Sequence, residues 1–229
     1  MRLLRYVSLL VSVSLLGLPA VAAAPANAAE SYTTRVVMKI AQARALYNTS
    51  VGIAGQAVYT DTDGQTYAVP GGTAVLERQF AGTRTWKRIA TDDYTSSFYF
   101  TVTARQNATY RVRYLGTTDG LGNAYSASAN SRILKVARDL NDRGVKRSGK
   151  LLLKGRVAPA YARQVVYVDR KTCERCAWRS YSRVRTTSRS TFSARVQAPR
   201  SGAWYYRARI TSSKKFITSY SDTYRAYTY

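Results

Sequence analysis

Apolar and polar side chains alternate at a period of two along many short stretches of this chain. In Phe98-Tyr99-Phe100-Thr101-Val102 the two Phe and the Val share one side, and Phe192, Ala194 and Val196 repeat that parity with Ser193 and Arg195 facing out. Tyr110, Val112 and Tyr114 oppose Arg111 and Arg113; Tyr206, Ala208 and Ile210 oppose Arg207 and Arg209. Short turns such as Gly71-Gly72, Ala81-Gly82-Thr83 and Ser201-Gly202 separate the segments. About six or seven half-buried strands per hundred residues predict antiparallel β-sandwiches. Helical spacing of apolar residues never persists beyond about two turns, the best stretch being Val36 to Tyr47.

Laid on itself, the chain repeats. A shift of 92 positions places Glu77-Arg78 over Asp169-Arg170, Trp86 over Trp178 and Phe100 over Phe192. With a small insertion, Tyr110-Arg111-Val112-Arg113 meets Tyr206-Arg207-Ala208-Arg209 and Ser126-Ala127-Ser128 meets Ser219-Tyr220-Ser221. Gly55-Gln56-Ala57-Val58 meets Gly155-Arg156-Val157, and Val37-Met38-Lys39-Ile40 meets Leu134-Lys135-Val136. Two copies of one unit are expected, at 29–130 and 131–229, with Ile133 to Val136 opening the second and Arg143 to Lys150 forming a loop inside it. The first copy carries extra residues near Asp61 to Pro70, and Asn107 stands where a turn glycine is expected.

An early Gly-x-Val, then Val-x-Leu/Val-x-Arg, a loop, Trp, a Phe-x-Phe or Thr-Phe strand, and Tyr-Arg-x-Arg before a Ser-rich final segment resemble the immunoglobulin-like repeats of exported actinobacterial proteins. The resemblance spans nearly all of the chain after the leader. It implies an all-β fold of two tandem immunoglobulin-like sandwiches, a fold used for adhesive, spacer and accessory modules, and it names no activity.

The opening Met1-Arg2-Leu3-Leu4-Arg5, the apolar run Tyr6 to Leu18 and the alanine-rich stretch that follows have the order of a secretory signal peptide. Cleavage after Ala28 is expected, with Ala24 and Ala29 as alternatives. The apolar run falls short of the roughly 20 residues that cross a bilayer, so no transmembrane anchor is expected. In an exported chain Cys173 and Cys176 read as a disulfide closing a hairpin tip, not as a redox or metal motif.

Histidine is absent, which removes the commonest general base and metal ligand. No catalytic residue, cofactor or metal is expected, and the protein reads as a non-enzyme. Asp61 and Asp63, in Thr60-Asp61-Thr62-Asp63-Gly64, have turn chemistry; a calcium loop needs more oxygen ligands and a distal Glu. Trp86 and Trp178 recur at one position, which favours core packing over sugar stacking, while Tyr220, Tyr224, Tyr227 and Tyr229 crowd a terminal strand and favour exposure.

Charge then divides the copies. The formal net charge is +24, and without Arg2 and Arg5 it is +22. The first copy has ten Lys and Arg against seven Asp and Glu, net +3; the second has twenty-four against five, net +19. Strand parity puts Arg179, Arg183 and Arg185 on one side of a strand, Arg195 on the outer side of the next, and Arg207 and Arg209 on another. If those strands share a sheet they form a cationic face, and Lys214 and Lys215 add to it. Planar guanidinium groups suit phosphate and carboxylate. The expected function is a secreted binding module that associates through its basic second copy with an anionic wall polymer or polysaccharide. The alternative is a spacer or interaction module recognising a surface protein; nucleic acid has no supporting motif.

Overall fold

A computed structural model describes residues 29–94 and 97–228; the leader expected at 1–28 and Tyr229 lie outside the described residues. The first copy contains β1 (Ser31–Tyr32), β2 (Thr34–Ile40), β3 (Arg44–Leu46), β4 (Ser50–Thr60), β5 (Thr66–Ala68), β6 (Gly72–Phe80), β7 (Lys87–Tyr94), β8 (Phe98–Thr103), β9 (Ala108–Tyr114), β10 (Thr117–Thr118), β11 (Ala124–Tyr125) and β12 (Ser128–Ala137). The second contains β13 (Asp139–Arg147), β14 (Lys150–Ala158), β15 (Val165–Lys171), β16 (Arg179–Arg185), β17 (Thr191–Val196), β18 (Ala203–Ile210), β19 (Ser219–Tyr220) and β20 (Tyr224–Tyr227). The Val36 to Tyr47 stretch, the best helical candidate, is strand: its buried positions alternate along β2 because Val and Ile prefer a pleated surface.

In the first copy β4 pairs with β2, β5 and β8, while the facing sheet runs β3-β12-β9-β6-β7. In the second, β13-β14-β17 faces β16-β15-β18, with β19 and β20 both on the far side of β18. The two copies are therefore the same antiparallel sandwich, an immunoglobulin-like arrangement, and each encloses its own core. The inward parities expected from the sequence hold: Phe98, Phe100, Val102, Tyr110, Val112 and Tyr114 are buried in one, and Phe192, Ala194, Val196, Tyr206, Ala208 and Ile210 in the other.

The structure corrects the alignment in three places. Gly55 pairs with Phe98 and Gly155 with Phe192, so Phe98, not Phe100, is the counterpart of Phe192. Both glycines have the same cause: an added Cβ would lie 2.7 Å from the Phe98 ring or 2.6 Å from the Phe192 ring. Second, β12 runs through residue 130 and pairs with β9, and its Leu134 and Val136 are buried in the first core. Ile133 to Val136 thus closes the first sandwich and does not open the second. Third, Arg143 to Lys150 is not a loop. It is the end of β13 and the start of β14, joined by Ser148-Gly149 at φ 48° and 71°, the positive values a two-residue hairpin turn requires.

The opening strands differ. β2 hands over to β3, which crosses to the other sheet and pairs in parallel with β12; β13 stays on β14 for its whole length. Paired against the matching glycines and their neighbours, Val36, Met38 and Ile40 correspond to Leu140, Asp142 and Gly144.

A segment of the second copy docks on the first. Phe216 is 4% exposed and belongs to the first core, with its ring 6.5 Å from that of Tyr47. Asn107 fastens it: its backbone N–H donates to the Lys215 carbonyl (2.8 Å), its amide nitrogen to the Lys214 carbonyl (3.1 Å), and its amide oxygen accepts from the Val136 N–H (2.8 Å). Asparagine stands at the expected glycine position for the two side-chain bonds, to the Lys214 carbonyl and from the Val136 N–H, which glycine could not supply. Arg138 lies over both Phe216 (4.2 Å) and Tyr161 (4.7 Å).

Candidate anion-binding faces of the second copy

On the outer face of β16-β15-β18, Asp169 is 3% exposed and sits between two arginines. Arg209 Nε donates to its Oδ2 at 2.8 Å and Nη2 to Oδ1 at 3.2 Å; Arg207 Nε lies 3.6 Å away, an ion pair too long for a hydrogen bond. The Asp169 carboxylate holds the Arg209 guanidinium above its ordinary range, against the opposing effect of burial. Arg207 is sandwiched between Trp178 (4.3 Å) and Tyr220 (4.0 Å), and Lys171 reaches Trp178 (5.2 Å) and Tyr205 (5.1 Å). Arg209 lies over Tyr167 at 5.0 Å. The face is a ladder of cations alternating with rings.

The same device stands in the first copy. Glu77 accepts from Arg111 Nε at 2.8 Å and Arg113 Nη1 at 3.3 Å, and Arg111 lies 4.1 Å over Trp86. Trp86 and Trp178 are consequently half-exposed partners of arginine and not core residues; each stands just ahead of its strand, Trp86 before β7 and Trp178 before β16, within reach of the outward guanidinium of Arg111 or Arg207. Because a copy of net +3 carries the cluster as well, Arg207 and Arg209 do not by themselves account for the basic character of the second copy.

The other expected residues scatter. Arg183 and Arg185 are exposed on β16, but a bulge opposite Val168/Asp169 reverses the parity beyond it, and Arg179 pairs with Arg170. Arg170 faces Tyr181 (5.0 Å) and Trp204 (4.2 Å), which pack on the core. Arg195 lies on β17, in the opposite sheet. Lys214 and Lys215 have exposed side chains, and their carbonyls are held by Asn107 at the junction. No single face therefore holds all eight. Cys173 and Cys176 are bridged at the tip between β15 and β16. Tyr220 and Tyr227 are exposed, whereas Tyr224 packs on the core.

A second cationic face was not anticipated. On the outside of β13-β14-β17, the cross-strand rows are Asn141, Arg156 and Thr191, then Arg143, Lys154 and Ser193, then Val145, Leu152 and Arg195. Strand geometry spaces these side chains by about 5 Å across strands and about 7 Å along them. Arg143, Lys154 and Arg156 line a groove of about 610 Å³ that Arg185 closes from the sheet edge, with Thr187, Thr191 and Ser193 between them. No carboxylate lines it. Among the described residues the ion pairs use Glu77 and Asp169 alone, so these cations have no acidic partner there. The signal was present in Leu151 to Val157, where Leu153 and Val157 face in and Lys154 and Arg156 out. Reading the preceding residues as loop hid the partner strand.

In the first copy, Asp61 and Asp63 are turn residues. Asp61 accepts from the Thr62 N–H, and Asp63 from the Gln65 N–H and the Tyr67 hydroxyl. Nearby, burial and the Asp119 carboxylate push the Tyr125 hydroxyl up to about 12.

No family model matches the chain, and no curated protein matches it. Among solved structures, the alpha chain of the chicken interferon gamma receptor is similar in shape, with a TM-score of 0.45 at 8% identity over 83% of this chain and 96% of that one. No helix among the described residues is long and apolar enough to cross a membrane.

Proposed function

We propose that this protein is a secreted, non-catalytic binding module whose second copy associates with anionic polymers of the cell envelope or the extracellular medium. The observation that carries the reading is the groove over β14 and β17: four cations with hydroxyls between them and no acid. Grouping like charges costs free energy through mutual repulsion, and a polyanion relieves it. The signal-like leader and the bridged cysteines support an extracellular setting.

Sedimentation of the purified protein with cell walls at rising salt tests this. Pelleting at low salt should fade as salt screens the contacts. Lys154→Glu with Arg156→Glu should lower pelleting at least about tenfold and flatten the salt slope by roughly two contacts. Pelleting indifferent to salt, or unchanged in that variant, would refute the groove and favour recognition of a surface protein. Duplex DNA that competes as well as wall polymer would reassign the partner to nucleic acid.

A further inference from the structure

Among the described residues, two things are scarce in the lining of the groove over β14 and β17, and both bear on which anionic polymer it takes. The first is hydrogen-bond acceptors. Arg143, Lys154, Arg156 and Arg185 are donors only, no carboxylate stands beside them, and the side-chain acceptors are Asn141 and the hydroxyls of Thr187, Thr191 and Ser193. Thr187 Oγ1 already accepts from the Arg189 and Thr191 N–H groups, both at 3.3 Å, so its own proton goes to Thr191 Oγ1 at 2.7 Å and the Thr191 hydroxyl proton is left for a ligand. Arg185 is steadied by one bond, from Nη1 to the Arg163 carbonyl (3.1 Å), and keeps its other donors. The second is an exposed ring. The aromatic residue of the lining, Phe192, is 4% exposed and belongs to the core.

These features separate the candidate polyanions. A uronate polysaccharide brings several hydroxyl donors per ring, which need acceptors, and single-stranded nucleic acid gains much of its affinity from bases stacked on aromatic side chains. The lining serves neither. An acyclic polyol phosphate has no ring to stack, and each repeat carries a phosphodiester that only accepts hydrogen bonds, the complement of a donor-rich lining. Spacing agrees. A glycerol phosphate repeat extends over about 7 Å as a zigzag of bonds of about 1.5 Å, and Arg156 and Lys154, two residues apart on β14, are separated by about 7 Å. Arg143 pairs with Lys154 across the strands, so both can hold one phosphate. We infer, resting on the reading of this groove as a polyanion site, that its ligand is an acyclic polyol-phosphate chain whose successive phosphodiesters meet Arg185, then Arg156, then Lys154 with Arg143.

Calorimetric titration of the full purified protein with a synthetic glycerol phosphate oligomer, an oligogalacturonate and an oligothymidylate of equal charge tests this, and the comparison needs no variant. At about 0.15 M salt the glycerol phosphate oligomer should bind at least about tenfold more tightly than either rival. Equal binding of the three, or a preference for uronate or thymidylate, would overturn the inference. Lys154→Gln with Arg156→Gln should lower the affinity for the glycerol phosphate oligomer at least about tenfold and reduce its salt slope by about 1.4, the single-strand value for two lost phosphate contacts. Affinity and slope unchanged from the parent would put the oligomer elsewhere and overturn it as well. Cell walls whose phosphodiester chains have been hydrolysed should no longer pellet the protein. Pelleting that survives hydrolysis and still depends on Lys154 and Arg156 would overturn the polyol-phosphate assignment and leave the anionic-polymer reading standing, whereas pelleting independent of both residues would overturn the two together.

Discussion

The two copies share a frame down to individual bonds and part company at their first strand. In both, a buried carboxylate on the third long strand clamps two arginines and a tryptophan covers one of them. In the first copy the opening strand is apolar on its inner side and changes sheets; in the second it is partly polar and does not. Elements that hold the sandwich together have been kept, and the rim has diverged. An acid-free cationic groove arises in the copy whose opening strand stays put.

Phe216→Ala should break this comparison most severely, because it removes a buried ring contributed by the second copy to the core of the first. A loss of about 4 kcal/mol is expected, visible in urea unfolding as an earlier transition of Trp86 fluorescence than of Trp178 and Trp204; coincident transitions at the parent midpoint would contradict the docking. Asp169→Ala should cost about 3 kcal/mol by leaving Arg207 and Arg209 facing each other half-buried. Glu77→Ala should cost a similar amount, and an effect in one copy alone would mean that the clusters are not equivalent. Asn107→Ala should cost about 2 kcal/mol through the unpaired Val136 N–H and Lys214 carbonyl, measurable by the same unfolding curves.

Smaller effects sharpen the contrast. Trp86→Ala and Trp178→Ala should each lose about 1 kcal/mol, the scale of a partly exposed cation–π contact and well short of a core tryptophan; a loss several times larger would return the rings to the core. The last is a pH effect at Asp142. Burial raises its carboxyl above the ordinary range, opposed by the Tyr224 hydroxyl and helped by Asp222. A raised value in the folded state means that the stability it contributes is complete below the unfolded aspartate value of about 3.9 and is lost as pH rises through the folded value. Asp142→Asn should flatten that fall by less than about 1 kcal/mol; an unchanged pH profile of the melting temperature would show that Asp142 is solvated.

Period-two alternation and the self-match made the sandwiches legible, because a half-buried strand stamps its two faces on the sequence directly. The ladder of Glu77, Arg111, Trp86 and their counterparts was legible as a set of recurring positions but not as a contact. Recurrence reports a shared constraint without saying whether that constraint is burial or a stacked guanidinium. Three-dimensional pairing decided the rest. A one-residue bulge opposite Val168/Asp169 reversed Arg179, and sheet membership moved Arg195 to the far face. Asn107 could not be read locally, since two of its partners, the carbonyls of Lys214 and Lys215, are more than a hundred residues away and the third, the Val136 N–H, is in another strand.

The docking of Phe216 also sets an order of events. A domain at the beginning of a chain can ordinarily finish folding as soon as its own last strand has emerged. Here the first sandwich can pair its sheets once β12 is made, yet its core stays open at one end until the chain has been extended through the strands of the second sandwich to residue 216. The first copy is begun first and completed late, and a chain interrupted before Phe216 would present an unfinished core where the complete chain presents a closed one.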